Sequence, residues 1–246
     1  MVTFSSNIGK SEIYKDLEKI YASIPDTTGC MENICKENGC GAICCKCNSP
    51  QVLLVEFNYV WKFALPELTR DQVIKIIESS FRNYLSKDLI KTCVFWDFET
   101  KHCLIHKYRS FNCRTYGIIP EEEFSKRAEK LKANPGFIYG PKYVEQCKLV
   151  SIKGDQEFTK DDIDVLWKKM EKLEQRTGVP FNKIHDGADG SYRTYHDNVI
   201  LRYLDDTLLS GLTIIKEYGD VFEKEEFIIK AMSFVSKKIG EKDGTE

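Results

Sequence analysis

Apolar residues recur at helical spacing near the start of the chain. Ile13, Tyr14, Leu17, Ile20 and Tyr21 fall on one face, which predicts a helix over residues 11–24 that Pro25 ends. Residues 26–50 break this pattern. Cys, Gly and Asn dominate there, and too few apolar side chains remain to build a core. Something other than hydrophobic burial has to order such a segment, and a bound metal can do so. Residues 51–57 (QVLLVEF) then read as a buried strand or the start of one. Thr69 and Gln72 have the spacing of a capping box, and the helix behind them, running to about residue 90, aligns Val73, Ile74, Ile77, Phe81, Tyr84 and Leu85. Two short β-type runs, 92–96 (TCVFW) and 102–106 (HCLIH), flank DFETK. They predict a hairpin with Cys93 on one arm and Cys103 on the other.

The second half of the chain is helical in pattern. Pro120 followed by Glu121, Glu122 and Glu123 suits a helix start, with acids facing the positive end of the dipole, and the helix should reach about Lys132. Residues 134–141 interrupt. Thr159 with Asp162 forms another N-cap signal before Ile163, Leu166, Trp167, Met170 and Leu173. After a polar loop, 185–198, two more amphipathic stretches span 199–217 and 222–239, whose aromatics Phe222, Phe227 and Phe234, with Trp167, are expected in the core. No repeat or low-complexity tract occurs. The pattern predicts an α+β protein, mostly helical, with a cysteine-rich metal-binding region that contains a small β-hairpin. Its organisation reads as a cysteine-cluster part over 1–150 and a helical part over 151–246 packed on it.

Composition adds bounds rather than identity. The 246 residues are 42% hydrophobic and 30% charged, as for a globular chain, and the net charge of −2 is evenly spread. There is no basic excess for nucleic acid. The longest apolar stretch falls far short of the ~20 residues of a membrane span. The N-terminus lacks a basic start followed by an apolar core, so no signal peptide and a cytoplasmic location are expected.

The ten cysteines do change the picture. They stand at 30, 35, 40, 44, 45, 47, 93, 103, 113 and 147. Six fall within 18 residues, and none occurs in the last 99. A disulfide framework is the ordinary reading of many cysteines in a small secreted chain. Here no export signal precedes them, and the chain is long enough to form a core without staples. Clustered thiols in a reducing compartment point instead to a metal. Soft thiolate ligands suit zinc and iron–sulfur clusters, and the paired spacing of a simple zinc finger is absent.

Two segments carry a resemblance. Residues 40–45 read Cys-Gly-Ala-Ile-Cys-Cys, and 93–117 read CVFWDFETKHCLIHKYRSFNCRTYG. Together they resemble the YkgJ-like cysteine-cluster family, a zinc- or iron-chelating domain. That family has a Cys-Cys pair, then Cys-x-Phe, then Cys-x-Ile-Tyr-x-x-Arg-Pro-x-x-Cys-Arg. Cys93 and Phe95 match the first run; Cys103, Ile105, Arg109, Cys113 and Arg114 match the second. Cys147 matches a trailing cysteine of many members. His106 stands in place of the Tyr, and Ser110 in place of the Pro. Cys30 and Cys47 are additional to the pattern. Some relatives resemble flagellin lysine-N-methylase, which carries an iron–sulfur cluster.

The resemblance implies a metal centre held by Cys35, Cys40, Cys44, Cys45, Cys93, Cys103, Cys113 and Cys147. Eight thiolates would serve two 4Fe–4S clusters; one cluster with spare thiols fits as well. In an extended chain Cys44 and Cys45 would point apart and serve two sites. Arg109 and Arg114 flank Cys113, where guanidinium donors can bond sulfur and bind the cofactor electrostatically; a structural ion pair is the plainer alternative. His102 and His106, flanking Cys103, are either ligands or simply hydrogen-bonded. His185, Asp186, Asp189, Tyr192, Arg193, Tyr195 and His196 either line a pocket or form a solvated connection. No phosphate loop, G-x-G-x-x-G or G-x-S-x-G occurs. Three functions remain: an iron–sulfur protein acting in redox or electron transfer with a protein redox or client partner, a cluster-dependent protein-modifying enzyme of the lysine-N-methylase type, and a zinc-binding interaction module.

Overall fold

The computed structural model describes residues 11–28, 43–47, 49–88, 91–132, 150–177, 194–203 and 206–242. These hold ten α-helices and two small antiparallel pairs of strands. Helix α1 (Ser11–Ala22) buries Ile13, Tyr14, Leu17, Ile20 and Tyr21, the stripe read from the sequence. Strand β1 (Thr27–Thr28) follows it, and α2 (Ile43–Cys47) lies within the cysteine-rich segment.

Residues 51–57 do not form a strand. The run instead enters α3 (Leu54–Phe63), in which every residue from Leu54 to Val60 is buried. A helix buried on all sides loses its 3.6-residue alternation, and a continuous apolar run is then indistinguishable from a buried strand. Two acids cap its start. Glu174 takes the N–H groups of Leu54 and Val55 at 2.7 and 2.8 Å, and Glu56 takes that of Leu53 at 3.0 Å. The first turn of a helix has N–H groups without intrahelical acceptors, so two buried carboxylates here satisfy donors that water cannot reach.

Helix α4 (Arg70–Leu85) starts at the Thr69–Gln72 capping box. It ends five residues earlier than its periodicity suggests, because Ser86 turns to extended backbone and its hydroxyl bonds Asp88. The hairpin is present but shorter than its sequence pattern: β2 (Trp96–Asp97) pairs with β3 (His102–Cys103), Trp96 opposite Cys103. Cys93 is not on an arm. The N–H of Trp96 returns to the Cys93 carbonyl at 3.0 Å, closing a turn just before the strand.

Helices α5 (Phe111–Thr115), α6 (Glu121–Lys132) and α7 (Lys160–Gln175) come next, the last from the Thr159–Asp162 box, with β4 (Ser151–Ile152) between α6 and α7. The stretch at 199–217 divides into α8 (Tyr195–Tyr203) and α9 (Asp206–Tyr218), followed by α10 (Val221–Lys242). The turn after α9 uses Gly219 because a Cβ there would lie 2.6 Å from the Ile215 carbonyl oxygen. Phe227 and Phe234 pack against the core, as does Trp167. Phe222 does not: it is 85% exposed. It precedes the buried Ile228 by six residues, about 240° around the helix, which turns it to the other side.

Helix α4 is the hub, meeting α8, α9 and α10, while α3 meets α1, α7 and α8. One core cluster runs from Ile13 to Val235 and so draws on both parts of the chain. Strand β1 pairs with β4, Thr27 opposite Ile152. This joins the residues just before Cys30 to those just after Cys147 and closes the cysteine-bearing stretch at its base.

Candidate metal centre

Five of the eight candidate thiols lie within the described residues: Cys44, Cys45, Cys93, Cys103 and Cys113. All carry thiols rather than disulfides. Cys35, Cys40 and Cys147, and the additional Cys30, lie outside the described residues.

Three segments bring the five together. Helix α2 supplies Cys44 and Cys45, and the hairpin region supplies Cys93 and Cys103. These segments are joined through the backbone: the Cys93 N–H donates to the Cys45 carbonyl at 2.7 Å, and Thr92 Oγ1 donates to the Lys46 carbonyl at 3.0 Å. Helix α5 supplies Cys113. It is held by Glu56, whose Oε1 accepts the Phe111 N–H at 2.6 Å and the Tyr21 hydroxyl at 2.8 Å. All three partners of that carboxylate are donors. Burial raises its pKa, opposed by those donors and by Arg114. Glu56 thus ties α1, α3 and the Cys113 helix at one point, a role the sequence reading missed. Its only signal was a lone acid in an apolar run.

The adjacent pair does not diverge. Residues 43–47 are helical rather than extended, and the Cys44 and Cys45 sulfurs are 4.0 Å apart. The geometric ground for assigning them to two sites is therefore removed. The contact with Cys45 is the main cause holding Cys44 down, to about 7, with Arg109 adding to it against burial. The same contact drives Cys45 upward, reinforced by burial and by Cys44, Cys93 and Cys103. Burial chiefly raises Cys93, and Cys103, Cys113 and Cys44 raise it further. Cys113 is pushed up to about 11 by burial, with Ser110 and Arg109 pulling the other way. Cys93 thus bears on Cys45, and Cys44, Cys103 and Cys113 bear on Cys93. As thiolates they would repel, and a cation among them would reverse that cost.

The two arginines part company. Arg109 bears on Cys44 and Cys113 through its charge, and its Nε donates to the His106 carbonyl at 3.0 Å. Arg114 instead donates to the carbonyls of Arg109 and Lys107 at 2.8 and 2.6 Å and stacks over Tyr21, 4.3 Å from its ring centroid. Both carbonyl bonds brace the loop that leads into α5.

His102 lies on β3 with a buried Nδ1 that has no hydrogen-bond partner, and His106 opens the 3₁₀ turn His106–Tyr108. Tyr195 and His196 belong to α8 and are buried, not part of a solvated loop. His196 Nδ1 lies 3.0 Å from Ser49 Oγ and 2.9 Å from Thr194 Oγ1. His185, Asp186, Asp189, Tyr192 and Arg193 lie outside the described residues.

Among the described residues, no group of three or more His, Cys, Asp or Glu side chains is disposed as a ready ligand set for one ion. A second observation bears on the fit of an anionic centre. Five buried side-chain polar atoms there lack partners of ordinary geometry, among them Trp96 Nε1 and His102 Nδ1 of the hairpin; Ser110 Oγ and Tyr195 Oη are two more, but Ser110 lies close to both Tyr195 and Cys113. Buried donors are normally satisfied. Thiolate and sulfide sulfurs are acceptors of the kind these donors would serve.

No protein-family model matches the chain, and no solved structure gives a significant match. The resemblance to the cysteine-cluster family rests on the motif residues alone.

Proposed function

We propose that this chain is a cytoplasmic metalloprotein whose cysteines hold an iron–sulfur centre of the 4Fe–4S type, acting in electron transfer to a protein partner. The observation that supports it is that the segments carrying Cys44 and Cys45 and carrying Cys93 and Cys103 are joined, the Cys93 N–H donating to the Cys45 carbonyl at 2.7 Å, with the Cys44 and Cys45 sulfurs 4.0 Å apart. Its remaining ligands would come from Cys35, Cys40 and Cys147. The cluster would supply reversible one-electron chemistry. The protein's own part is to gather the thiolates, to place the Arg109 charge beside Cys44 and Cys113, and to keep water from Cys93, which is 7% exposed. Burial, net charge and hydrogen bonds to sulfur are the means by which a protein sets a cluster's potential. Whether the chain is also an enzyme of the lysine-N-methylase type turns on an iron with an exchangeable position, which a substrate-dependent spectral change would reveal.

Zinc is the second reading, favoured by one distance. Tetrahedral zinc with Zn–S near 2.3 Å sets sulfurs about 3.8 Å apart, and Cys44 and Cys45 stand at 4.0 Å. Metal and sulfide analysis of anaerobically purified protein, with electron paramagnetic resonance after reduction, decides between them. A brown protein with broad absorption near about 400 nm and stoichiometric sulfide is expected. A colourless protein with stoichiometric zinc would replace iron–sulfur by the zinc module, and a chain with neither metal would end both readings.

A further inference from the structure

Helices α9 and α10 form a tight hairpin. Gly211 of α9 lies against the Phe227 ring of α10: a Cβ added there would sit 3.8 Å from Phe227 Cε2. Phe227 in turn meets Phe81 of α4, their centroids 6.5 Å apart, and Arg82 of α4 forks on Glu225. These contacts fix one face of the hairpin on the body. Much of what the body leaves uncovered is apolar. Among the described residues seven large apolar side chains are exposed, and five of them are here: Ile214 at 60%, Tyr218 at 86%, Val221 at 79%, Phe222 at 85% and Ile229 at 63%. Their spacing makes them neighbours. Ile214 and Tyr218 are one turn apart on α9, and Phe222 and Ile229 are two turns apart on one face of α10. Val221 and Phe222 follow Tyr218 across the short link Gly219–Asp220.

Single exposed apolar residues are ordinary, but five around one turn form a patch. The two rings alone present roughly 250–400 Å² to water. With three aliphatic side chains added, the patch reaches the upper end, about 600 Å², of what a monomer exposes in one place. It supplies most of the about 800 Å² that each partner brings to a stable complex. Charge decides among occupants. Glu217, Asp220 and Glu223 stand with Lys216 and Lys224 around the turn, while Glu225 and Glu226 are already matched by Arg82 and Lys230. Three acids repel an anionic lipid surface. Two lysines among them leave no field of one sign for a strongly basic or acidic partner. Both signs on one face suit a twofold pairing, in which lysines of one copy meet acids of the other. We propose that the α9–α10 hairpin is the face on which two copies of this chain pair about a twofold axis, with Tyr218 and Phe222 as its central anchors. Buried aromatic anchors carry most of the energy of such interfaces. The pairing is independent of the metal reading, since neither helix carries a cysteine.

Analytical ultracentrifugation of the full-length protein, from about 1 to about 100 μM, tests it. Reductant and chelator are present, so that neither disulfides nor a shared ion can join two chains. The average mass should rise with concentration from the 28.5 kDa of one chain toward twice that value. Combining Tyr218→Ser with Phe222→Ser should weaken the association about tenfold or more. Both side chains face water, so the double variant should keep the helical signal of the parent. Phe98→Ser removes another exposed ring, in the turn between β2 and β3, and should leave the association unchanged. A parent that keeps the mass of one chain at the highest concentration would overturn the proposal. So would a dimer indifferent to the double substitution, a dimer weakened as much by Phe98→Ser, or loss of the helical signal in the double variant. A parent that stays single yet sediments with phosphatidylcholine vesicles would overturn it in favour of a lipid surface.

Discussion

Single buried acids decide much of this molecule. Glu174 is 0% exposed and accepts two backbone N–H groups at the start of α3. Burial outweighs those bonds and raises its pKa to about 7. In the unfolded chain it titrates near the ordinary value of 4.5. Between those two values the folded state binds a proton that the unfolded state has released. Stability therefore falls as pH rises from about 4.5 to about 7, by roughly 3 kcal/mol in all, and stays lower above. His196 works the other way: burial depresses it, so its contribution rises with pH toward 6.5 and is complete above it. A comparison of parent and variant isolates the glutamate. Glu174→Gln keeps a carbonyl to accept from the helix but cannot ionise. Its chemical-denaturation midpoint should hold steadier than the parent's from pH 5 to pH 8, and the parent should lose stability relative to it. Equal slopes would mean that the helix N-terminus already keeps Glu174 ionised at pH 5.

At the scale of elements, the hairpin shows what sequence pattern conveys and what it does not. DFETK between two β-type runs marked the turn correctly. The structure adds the device that makes it: Asp97 Oδ1 accepts the Glu99 N–H at 3.0 Å and Oδ2 accepts the Thr100 hydroxyl at 2.7 Å, while Lys101 takes a positive φ of 57°. Thr100 is the main cause holding the Asp97 carboxyl below its usual range. Asp97→Ala removes both bonds from the turn that sets Cys103 opposite Trp96. A stability loss of about 1 kcal/mol is expected, read by denaturant melting, together with weaker metal retention under chelator challenge. An unchanged midpoint would show that Trp96 and Cys103 alone fix the register. Capping boxes were legible for α4 and α7 because their chemistry is local: a hydroxyl and a side chain three residues on. The strand expected at 51–57 failed because its partners are distant, Glu174 above all, and total burial erased the periodicity. That the Cys93 N–H meets the Cys45 carbonyl and that Glu56 holds the Cys113 helix depend on contacts between segments far apart in sequence.

The whole molecule sets how much a metal can matter to its stability. The core cluster includes Leu17, Phe57, Phe81 and Phe95 from the cysteine-bearing part, and Met170, Tyr195, Leu212 and Val235 from the helices after it. Among the described residues no helix is long and apolar enough to cross a membrane. Exposed links between the parts, such as the Arg82 fork on Glu225 at 2.8 and 2.9 Å, contribute little, since surface ion pairs are worth about 0–1 kcal/mol. The pairing of β1 with β4 joins residues 27–28 to 151–152. Mutual repulsion and burial work against thiolates in the stretch between. A metal that binds only the folded chain adds about 4 kcal/mol when present at a thousandfold excess over its dissociation constant. For a chain of this size that corresponds to a melting temperature higher by roughly 8–16 °C. Stripping the protein with chelator under reducing, anaerobic conditions should therefore lower its melting temperature by about that much. Most of the far-ultraviolet helical signal should persist below the transition, because α4 packs against α8, α9 and α10 and none of these four helices carries a cysteine. If chelated and untreated protein melt together, the thiols hold no metal that matters to folding, and their gathering around Cys44 needs another cause.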